Sequence, residues 1–336
     1  MSDRVLSSHQ HAFMRILERG ALPLMVAPMF LVSGPELVCA CARNGLVGSF
    51  PAANARDLGV LRQWMQSISE TVSRLGPEAF WSVNMIVHSS YDRFQGELDL
   101  VQTFKPRIVS TALGSPRRVL DAVHAYGGMV AADVTTPLLA RKAADAGADI
   151  LILVTHGAGG HTGSHHPFAL LHEVRKFWSG PLGLAGAITF GADILAAQVL
   201  GADFVVAGTR FIATHESLAE EDYRQMLVES SIEDLVATKA VSGVLANWLK
   251  PTLERAGFTP EQLREEQRID FSGDIATAPK AWKTVWSAGH GVGGINAIAS
   301  VHDVVEQLRG EYRAALMREQ ERVECRLAQY TQRSIS

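Results

Sequence analysis

The chain contains a series of short apolar runs, and each run ends in turn residues. Each is nearly continuous in apolar and β-branched residues, as expected of strands that are buried on both faces. We therefore predict eight buried strands. They occupy residues 22–29, 45–51, 80–87, 106–113, 127–134, 148–156, 181–188 and 202–209.

Segments of helical periodicity separate these runs, for example residues 115–127 and 136–147. The second has Pro137 in its first turn and Gly147 at its end, which are the usual helix start and stop signals. Eight strand-helix units in roughly 210 residues match an α/β fold of the (β/α)₈ TIM-barrel type. A doubly wound open sheet would also alternate, but eight uninterrupted units favour a closed barrel.

The pattern changes after Arg210, where the sequence becomes charge-rich and helical in period. We predict a helical insertion, residues 217–283, that covers the barrel mouth as a lid. The barrel itself would then comprise residues 1–216 and 284–336. From Asp303 to about Tyr330 the sequence predicts a helix packed on the barrel. Its apolar face would consist of Val304, Val305, Leu308, Tyr312, Ala315 and Leu316.

Composition narrows the class of protein. The 336 residues are 47% hydrophobic and 20% charged, which suits a soluble globular protein. A net charge of -4 with scattered Lys and Arg argues against nucleic-acid binding. The sequence has neither a secretory apolar segment nor a run of ~18 apolar residues, so we expect a cytoplasmic protein that does not enter membranes. Three cysteines, Cys39, Cys41 and Cys325, are too few for a disulfide framework.

The sixth apolar run leads into a glycine-rich stretch with a histidine in it. Gly157, Gly159, Gly160 and Gly163 surround His161. Glycine suits a backbone that must come close to a ligand, so this stretch predicts a ligand loop without regular structure. An imidazole with a pKa near ~6.5 could exchange a proton at neutral pH from such a loop. An isolated histidine can also be merely structural or exposed.

The ends of the seventh and eighth strands offer a second glycine feature. Gly186 follows the seventh strand, and Gly208 and Thr209 follow the eighth. Barrels commonly hold a phosphate on backbone N–H groups at these two ends. Ala158, Gly159 and Gly160 would face the same phosphate from the sixth strand. The alternative is a purely structural role, in which Gly186 and Gly208 only let helices pack closely on strands.

Two further patterns predict no separate site. His165 and His166 lie near His161, but no carboxylate or cysteine completes a metal-ligand set, so we predict no metal and place both on the surface. The segment 286–294 has GxGxxG spacing but lacks the strand and βαβ context of a dinucleotide fold. We expect it to re-enter the barrel mouth and to bring Ser287 and Gly289 to the cofactor site, although a plain turn would also fit.

Four separated motifs together resemble the nitronate monooxygenase family: VAPMFLVSGPELVCACARNGLVGSFP, HGAGGHTG, GTRFIATHES and WSAGHGVGGI. The resemblance spans about residues 22–295. It implies a barrel that binds FMN noncovalently and His161 as the catalytic histidine. The phosphate would be held by backbone groups at positions matching Ala158, Gly159, Gly186, Gly208 and Thr209.

The resemblance also implies contacts to the flavin ring. Met29 and Phe30 match positions beside the ring, and Asn84 matches a polar residue near its pyrimidine side, although it could instead tie a strand to a loop. Asp133 stands where some members present a Lys or an amide to the flavin, and Gly157 stands where many carry an acidic residue. A carboxylate at 133 should disfavour negative charge on the reduced ring unless it is protonated or turned away.

The implied reaction is oxidation of alkyl nitronates, and of neutral nitroalkanes if His161 serves as base, by O₂ to carbonyl compounds and nitrite. The partners would be this small substrate and O₂, and a homodimer is compatible with the sequence. An alternative within the same scaffold is an NAD(P)H-dependent flavin reductase of the enoyl-thioester type. A noncatalytic flavin-binding scaffold is a third hypothesis.

Overall fold

The computed structural model describes residues 6–264 and 284–333. Its strands alternate with helices along most of the chain, as the apolar runs predict. In chain order the strands are β1 (Leu24–Val26), β2 (Gly48–Pro51), β3 (Trp81–Ile86), β4 (Ile108–Ala112), β5 (Met129–Val134), β6 (Ile150–Val154), β7 (Gly160–His161), β8 (Leu182–Ala185), β9 (Phe204–Ala207), β10 (Leu235–Thr238) and β11 (Ala246–Leu249).

Eight of these strands, β1 to β6 with β8 and β9, are parallel and form one sheet. The edge strands β1 and β2 also meet, because Met25 bridges to Val47 and the N–H of Val26 donates to the O of Val47 at 2.9 Å. The sheet therefore closes into a barrel. All eight predicted strands are confirmed. β2 and β5 end at their predicted limits, and the other six end one to three residues earlier.

The helices lie on the outside of this barrel. They are α1 (Ser8–Arg19), α2 (Pro35–Arg43), α3 (Leu58–Leu75), α4 (Phe94–Phe104), α5 (Arg117–His124), α6 (Pro137–Ala146), α7 (Pro167–Arg175), α8 (Gly191–Leu200), α9 (Thr209–Ile212), α10 (Glu221–Glu229), α11 (Lys250–Arg255) and α12 (Val301–Arg333). At α6 the predicted signals are confirmed: the Thr136 side chain accepts from the N–H of Leu139, and Gly147 ends the helix at φ +103°.

The core has an inner and an outer layer. Inside the barrel, buried side chains such as Ile108, Ile150 and Phe204 fill the space between strands. Helix α1 closes the amino-terminal end, because Phe13 is fully buried and its ring meets that of Phe204 edge-on at 5.3 Å. The opposite end, where the strands finish, opens into the cavity described below.

The prediction of a wholly helical insertion is wrong for the part that the structure describes, residues 217–264. It holds α10 and α11 but also β10 and β11, which pair antiparallel, and β11 pairs in turn with β7. Each of these two strands is only four residues long, so its alternation is too short to stand out in the sequence. Residues 265–283 of the predicted lid lie outside the described residues, and the domain limits stay a prediction.

Helix α12 packs on the barrel through its first half only. Val304, Val305 and Leu308 are almost completely buried, as predicted. Leu316, predicted in the same face, is 42% exposed, because the helix has by then run past the barrel. Among the helices that the structure describes, we find none with the length and apolarity needed to cross a bilayer.

Candidate active site

A cavity of about 1760 Å³ opens at the carboxyl ends of the barrel strands. Every residue that the sequence analysis predicts for catalysis or cofactor binding lines this cavity. These residues are Met29, Phe30, Asn84, Asp133, Ala158, Gly159, Gly160, His161, Gly186, Gly208, Thr209, Ser287 and Gly289. Residues from six strand ends and from the late segment 287–289 therefore meet in one place.

The glycine turns after β6, after β8 and at 287–289 touch each other through their backbones. A Cβ built on Gly159 would lie 2.7 Å from the N of Gly289, and one built on Gly289 would lie 2.7 Å from the O of Gly157. Gly186 has φ +130°, and a Cβ there would lie 2.3 Å from Oγ1 of Thr155. Gly159 and Gly289 must be glycine because backbone atoms already occupy the space of a side chain, and Gly186 because of its positive φ and the nearby hydroxyl of Thr155.

Hydrogen bonds hold these turns in register. The N–H groups of Ala187 and His290 both donate to the O of Gly157, at 3.1 and 3.0 Å. The N–H of Gly289 donates to Oγ1 of Thr209 at 2.8 Å. Segment 286–294 therefore returns to the barrel mouth, as predicted, and its hydrogen bond to Thr209 holds it there.

One detail differs from the expectation that the backbone N–H groups here face a ligand. The N–H of Ala158 donates to the O of Thr155 at 3.0 Å, and that of Gly289 is taken by Thr209. These two amides are engaged within the protein and fix the shape of the turns. The hydroxyl of Thr209 accepts from Gly289 and still has its own proton to donate.

His161 does not sit in an irregular loop, so that part of the sequence prediction is wrong. Gly160 and His161 form the short strand β7, in which Gly160 pairs with Asn247 and His161 with Ala246 of β11. The next residue continues the pairing, because the N–H of Thr162 donates to the O of Leu245 at 2.9 Å. The insertion therefore supports the backbone that carries His161.

The environment of His161 makes it a weak base. His161 is an exposed residue on the wall of the cavity, and the protein atoms around its ring still reduce the hydration of the imidazole. Because loss of hydration disfavours the charged imidazolium, it lowers the pKa of His161 to about 4. The ring is therefore neutral at pH 7, well below the pKa near ~6.5 expected for an unperturbed imidazole.

Sequence reasoning missed Asn247, which ties the insertion to the glycine stretch. Asn247 is 1% exposed, and its Nδ2 donates to the O of His156 at 2.8 Å and to the O of Ala158 at 2.7 Å. Both acceptors belong to the turn between β6 and β7. No local signal marks this asparagine, because its partners lie 91 and 89 residues earlier in the chain.

Two polar residues lie on the cavity wall at the ends of β3 and β5. Nδ2 of Asn84 donates to Oγ of Ser110 at 3.0 Å, so this side chain ties β3 to β4 as well as facing the cavity. Asp133 forms no hydrogen bond or ion pair through its carboxyl group within the described residues. Burial raises the pKa of Asp133 to about 7, so the carboxyl is partly protonated at neutral pH.

Left-handed backbone at non-glycine residues is a further feature that the sequence did not reveal. Leu31, Leu113 and Ala187 have φ of 60°, 60° and 56° and all line the cavity. Such conformations are unfavourable for side chains with a Cβ and collect at functional sites. The turn with Leu31 is fixed by Asn54, whose Nδ2 donates to the O of Met29 and the O of Ser33 at 2.9 and 2.8 Å.

Histidines pack behind the glycine stretch without forming a metal centre. The ring of His156 stacks on that of His166 at 5.8 Å and meets that of His290 edge-on at 5.4 Å. His166 caps the start of α7, as its predicted place before the next helix implies. Within residues 6–264 and 284–333, we find no group of three or more His, Cys, Asp or Glu side chains that could hold a metal ion.

Comparison with known proteins gives a consistent result. A family model described as nitronate monooxygenase matches residues 75–311, which is more than half of the chain. A nitronate monooxygenase of Paraburkholderia phytofirmans is 27% identical over 344 aligned residues, covering 88% of this chain and 93% of that protein.

Two solved structures share the fold. Nitroalkane oxidase from Streptomyces ansochromogenes has a TM-score of 0.74 at 23% identity and covers 90% of this chain and 99% of its own. FabK from Thermotoga maritima has a TM-score of 0.73 at 24% identity, with coverage of 91% and 98%. At these identities the likeness concerns the barrel and its arrangement of helices.

Proposed function

Because this chain belongs to the nitronate monooxygenase family, we propose that it is an FMN-dependent monooxygenase. Its substrates would be alkyl nitronates, which it oxidises with O₂ to carbonyl compounds and nitrite. The observation that carries this proposal is the position of His161, which faces the same cavity as the convergent glycine turns.

Members of this family are FMN-dependent flavoproteins. The cavity fits such a cofactor, since the turns after β6, β8 and β9 bring bare backbone to one wall, where a Cβ on Gly159 or Gly186 would collide with neighbouring atoms. Gly159, Gly160, Gly186, Gly208 and the hydroxyl of Thr209 would hold the phosphate. Bound FMN would supply the electron transfer and the activation of O₂.

The side chains of Met29, Phe30 and Asn84 would border the flavin ring, together with Ser287 from the return segment. All four line the cavity. Asn54 fixes the backbone of the Met29 turn, which supports a defined position for Met29 and Phe30. Asp133 would face the ring as a partly protonated acid, and a neutral carboxyl there avoids placing a full negative charge against a reduced flavin.

The low pKa of His161 favours nitronates over neutral nitroalkanes as substrates. A neutral imidazole with a pKa of about 4 removes a proton from carbon only weakly. It can still donate an N–H hydrogen bond to the anionic nitro oxygens of a nitronate, which has already lost its proton. We therefore assign His161 the role of orienting the nitronate rather than of deprotonating a nitroalkane.

The cavity also has room for a substrate with a chain. Its volume of about 1760 Å³ exceeds the roughly 300–1,000 Å³ typical of a pocket for one drug-sized ligand.

Two measurements test the proposed function. Purified protein should show a bound flavin spectrum, and under air it should consume O₂ and release nitrite when a nitronate is added. Rapid anaerobic reduction of the flavin by NADH or NADPH, without nitronate-dependent nitrite release, would instead support the enoyl-thioester reductase alternative. Absence of bound flavin after FMN is supplied would contradict both.

A further inference from the structure

The second half of α12 extends away from the barrel and carries apolar side chains into solvent. Leu316, Met317, Val323 and Leu327 are 42%, 56%, 44% and 61% exposed. They lie in an 18-residue stretch, residues 316–333, that continues the helix after its last buried side chain at Ala315. The sequence predicts a helix packed on the barrel up to about Tyr330, but the side chains of this stretch do not pack on the barrel. We therefore ask what other surface could cover them.

Residues 316–327 of α12 leave their apolar side chains exposed. Most helical stability in proteins comes instead from packing of an apolar face. Surface ion pairs such as Arg322 with Glu319 at 3.3 Å add little. Packing of the exposed leucines on a second helix would supply the missing stabilisation.

The exposed apolar residues follow the spacing of a coiled-coil seam. Leu316, Gln320, Val323 and Leu327 are separated by four, three and four residues, which places them at alternating d and a positions of a heptad. The g positions beside this seam hold Glu319 and Arg326, and the e position after Val323 holds Glu324.

We propose that residues 316–333 pair with the same segment of a second copy of this chain as an antiparallel two-helix coiled coil. In that arrangement Leu316 lies opposite Leu327 of the second copy, and Gln320 lies opposite Val323. The flanking g positions then bring Glu319 beside Arg326 twice, once on each side of the twofold axis, and opposite charges there favour pairing.

The charge pattern disfavours the parallel alternative. Parallel coiled coils place each g residue beside the e residue of the partner, which here sets Glu319 against Glu324. The antiparallel pairing is therefore the one in which the charges of the two segments are complementary.

Leu327→Glu with Ala328→Glu as matched control tests the seam. Both variants add one glutamate at the same depth of the helix, but only residue 327 lies in the seam. Burial of two leucines contributes on the order of a 100-fold change in the dissociation constant. Sedimentation velocity and light scattering over a wide concentration range should find wild type and Ala328→Glu dimeric and Leu327→Glu shifted to monomer. A monomeric wild type, or equal behaviour of both variants, would overturn the proposal.

Charge exchange tests the direction of the helices. Glu319→Arg and Arg326→Glu should each weaken the dimer about tenfold, because each creates two like-charge contacts, and the double variant should restore it. A parallel pair predicts the opposite for Glu319→Arg, which would relieve repulsion with Glu324 and tighten the dimer. Tightening, or no effect of either single variant, contradicts the antiparallel pairing. Circular dichroism of each variant checks that the barrel is folded.

Discussion

The barrel turns and the insertion sheet contribute to the same cavity in different ways. The turns at Gly159, Gly186 and Gly208 follow barrel strands directly, and backbone contacts join the first two to each other. Strand β7, which carries His161, is held by β11 from the insertion. Under the proposed function, the barrel turns would hold the cofactor, whereas the insertion would set the position of the residue that meets the substrate.

If this division is correct, variants in the two regions should fail differently. Changes in the barrel turns should lower cofactor affinity, whereas changes at the β7–β11 pairing should lower turnover and leave the cofactor bound. The following variants separate the two outcomes, beginning with the largest expected effect.

His161→Ala should lower kcat/KM for a nitronate by about 10²–10⁴-fold, because the hydrogen-bond donor facing the substrate is lost. The flavin spectrum should be retained. Oxygen uptake with nitrite release measures the rate, and His172→Ala, an exposed histidine on α7, is the control. Unchanged turnover in His161→Ala would exclude a role for His161 in the reaction.

The pH profile of the wild type sharpens this point. Because the pKa of His161 is lowered to about 4, the ring stays neutral from pH 5 to 8. A plot of kcat/KM for a nitronate against pH should therefore contain no transition near pH 6.5 that is due to His161. The wild type and His161→Ala should have profiles of the same shape in this range. A transition of that kind would mean that His161 titrates like an unperturbed imidazole.

Gly159→Ala should weaken FMN binding by roughly 10–100-fold, which corresponds to about 1.4–2.8 kcal/mol. A Cβ at this position lies 2.7 Å from the N of Gly289, so one backbone must move. Titration of the apoprotein with FMN, followed by quenching of flavin fluorescence, gives the affinity. Gly310→Ala adds a Cβ in open space and should bind FMN like the wild type.

Asn247→Ala should lower kcat/KM by about tenfold, because loss of two buried hydrogen bonds lets the turn between β6 and β7 shift. FMN affinity should change much less than in Gly159→Ala. The two variants together decide whether insertion and barrel act separately. Loss of flavin from Asn247→Ala comparable to that from Gly159→Ala would remove the distinction.

Asp133→Asn should remove a pH dependence of FMN binding. A flavin lying over this carboxyl would disfavour its ionised form, so the affinity of the wild type should fall several-fold as pH rises from 7 to 8. The asparagine variant cannot ionise and should bind FMN equally at both pH values. A wild type with a flat profile would place Asp133 away from the cofactor.

The same two regions differ in what sequence could predict. The eight strands and the glycines that follow them can be recognised from neighbouring residues in the sequence: a buried strand is a short apolar run, and a tight turn is marked by glycine. Gly159 and His161 could be predicted as site residues for that reason. The contribution of Asn247 depends on acceptors 91 and 89 residues away, and β11 is too short to give a periodic signal.

The pKa of His161 and the left-handed backbone of two cavity residues also could not be predicted from the sequence. His161 is expected to titrate near ~6.5 from its residue type alone, but its packing lowers the pKa to about 4. Leu31 and Ala187 carry no sequence sign of their left-handed backbone, which the surrounding turns impose. Such properties emerge only when distant segments are brought together.

A double-mutant cycle on His161 and Asn247 tests the central claim most directly. If Asn247 acts by positioning the strand that carries His161, kcat/KM for a nitronate in the double variant should equal that of His161→Ala alone, with FMN still bound. Independent effects that multiply in the double variant would contradict the claim that the insertion works through His161.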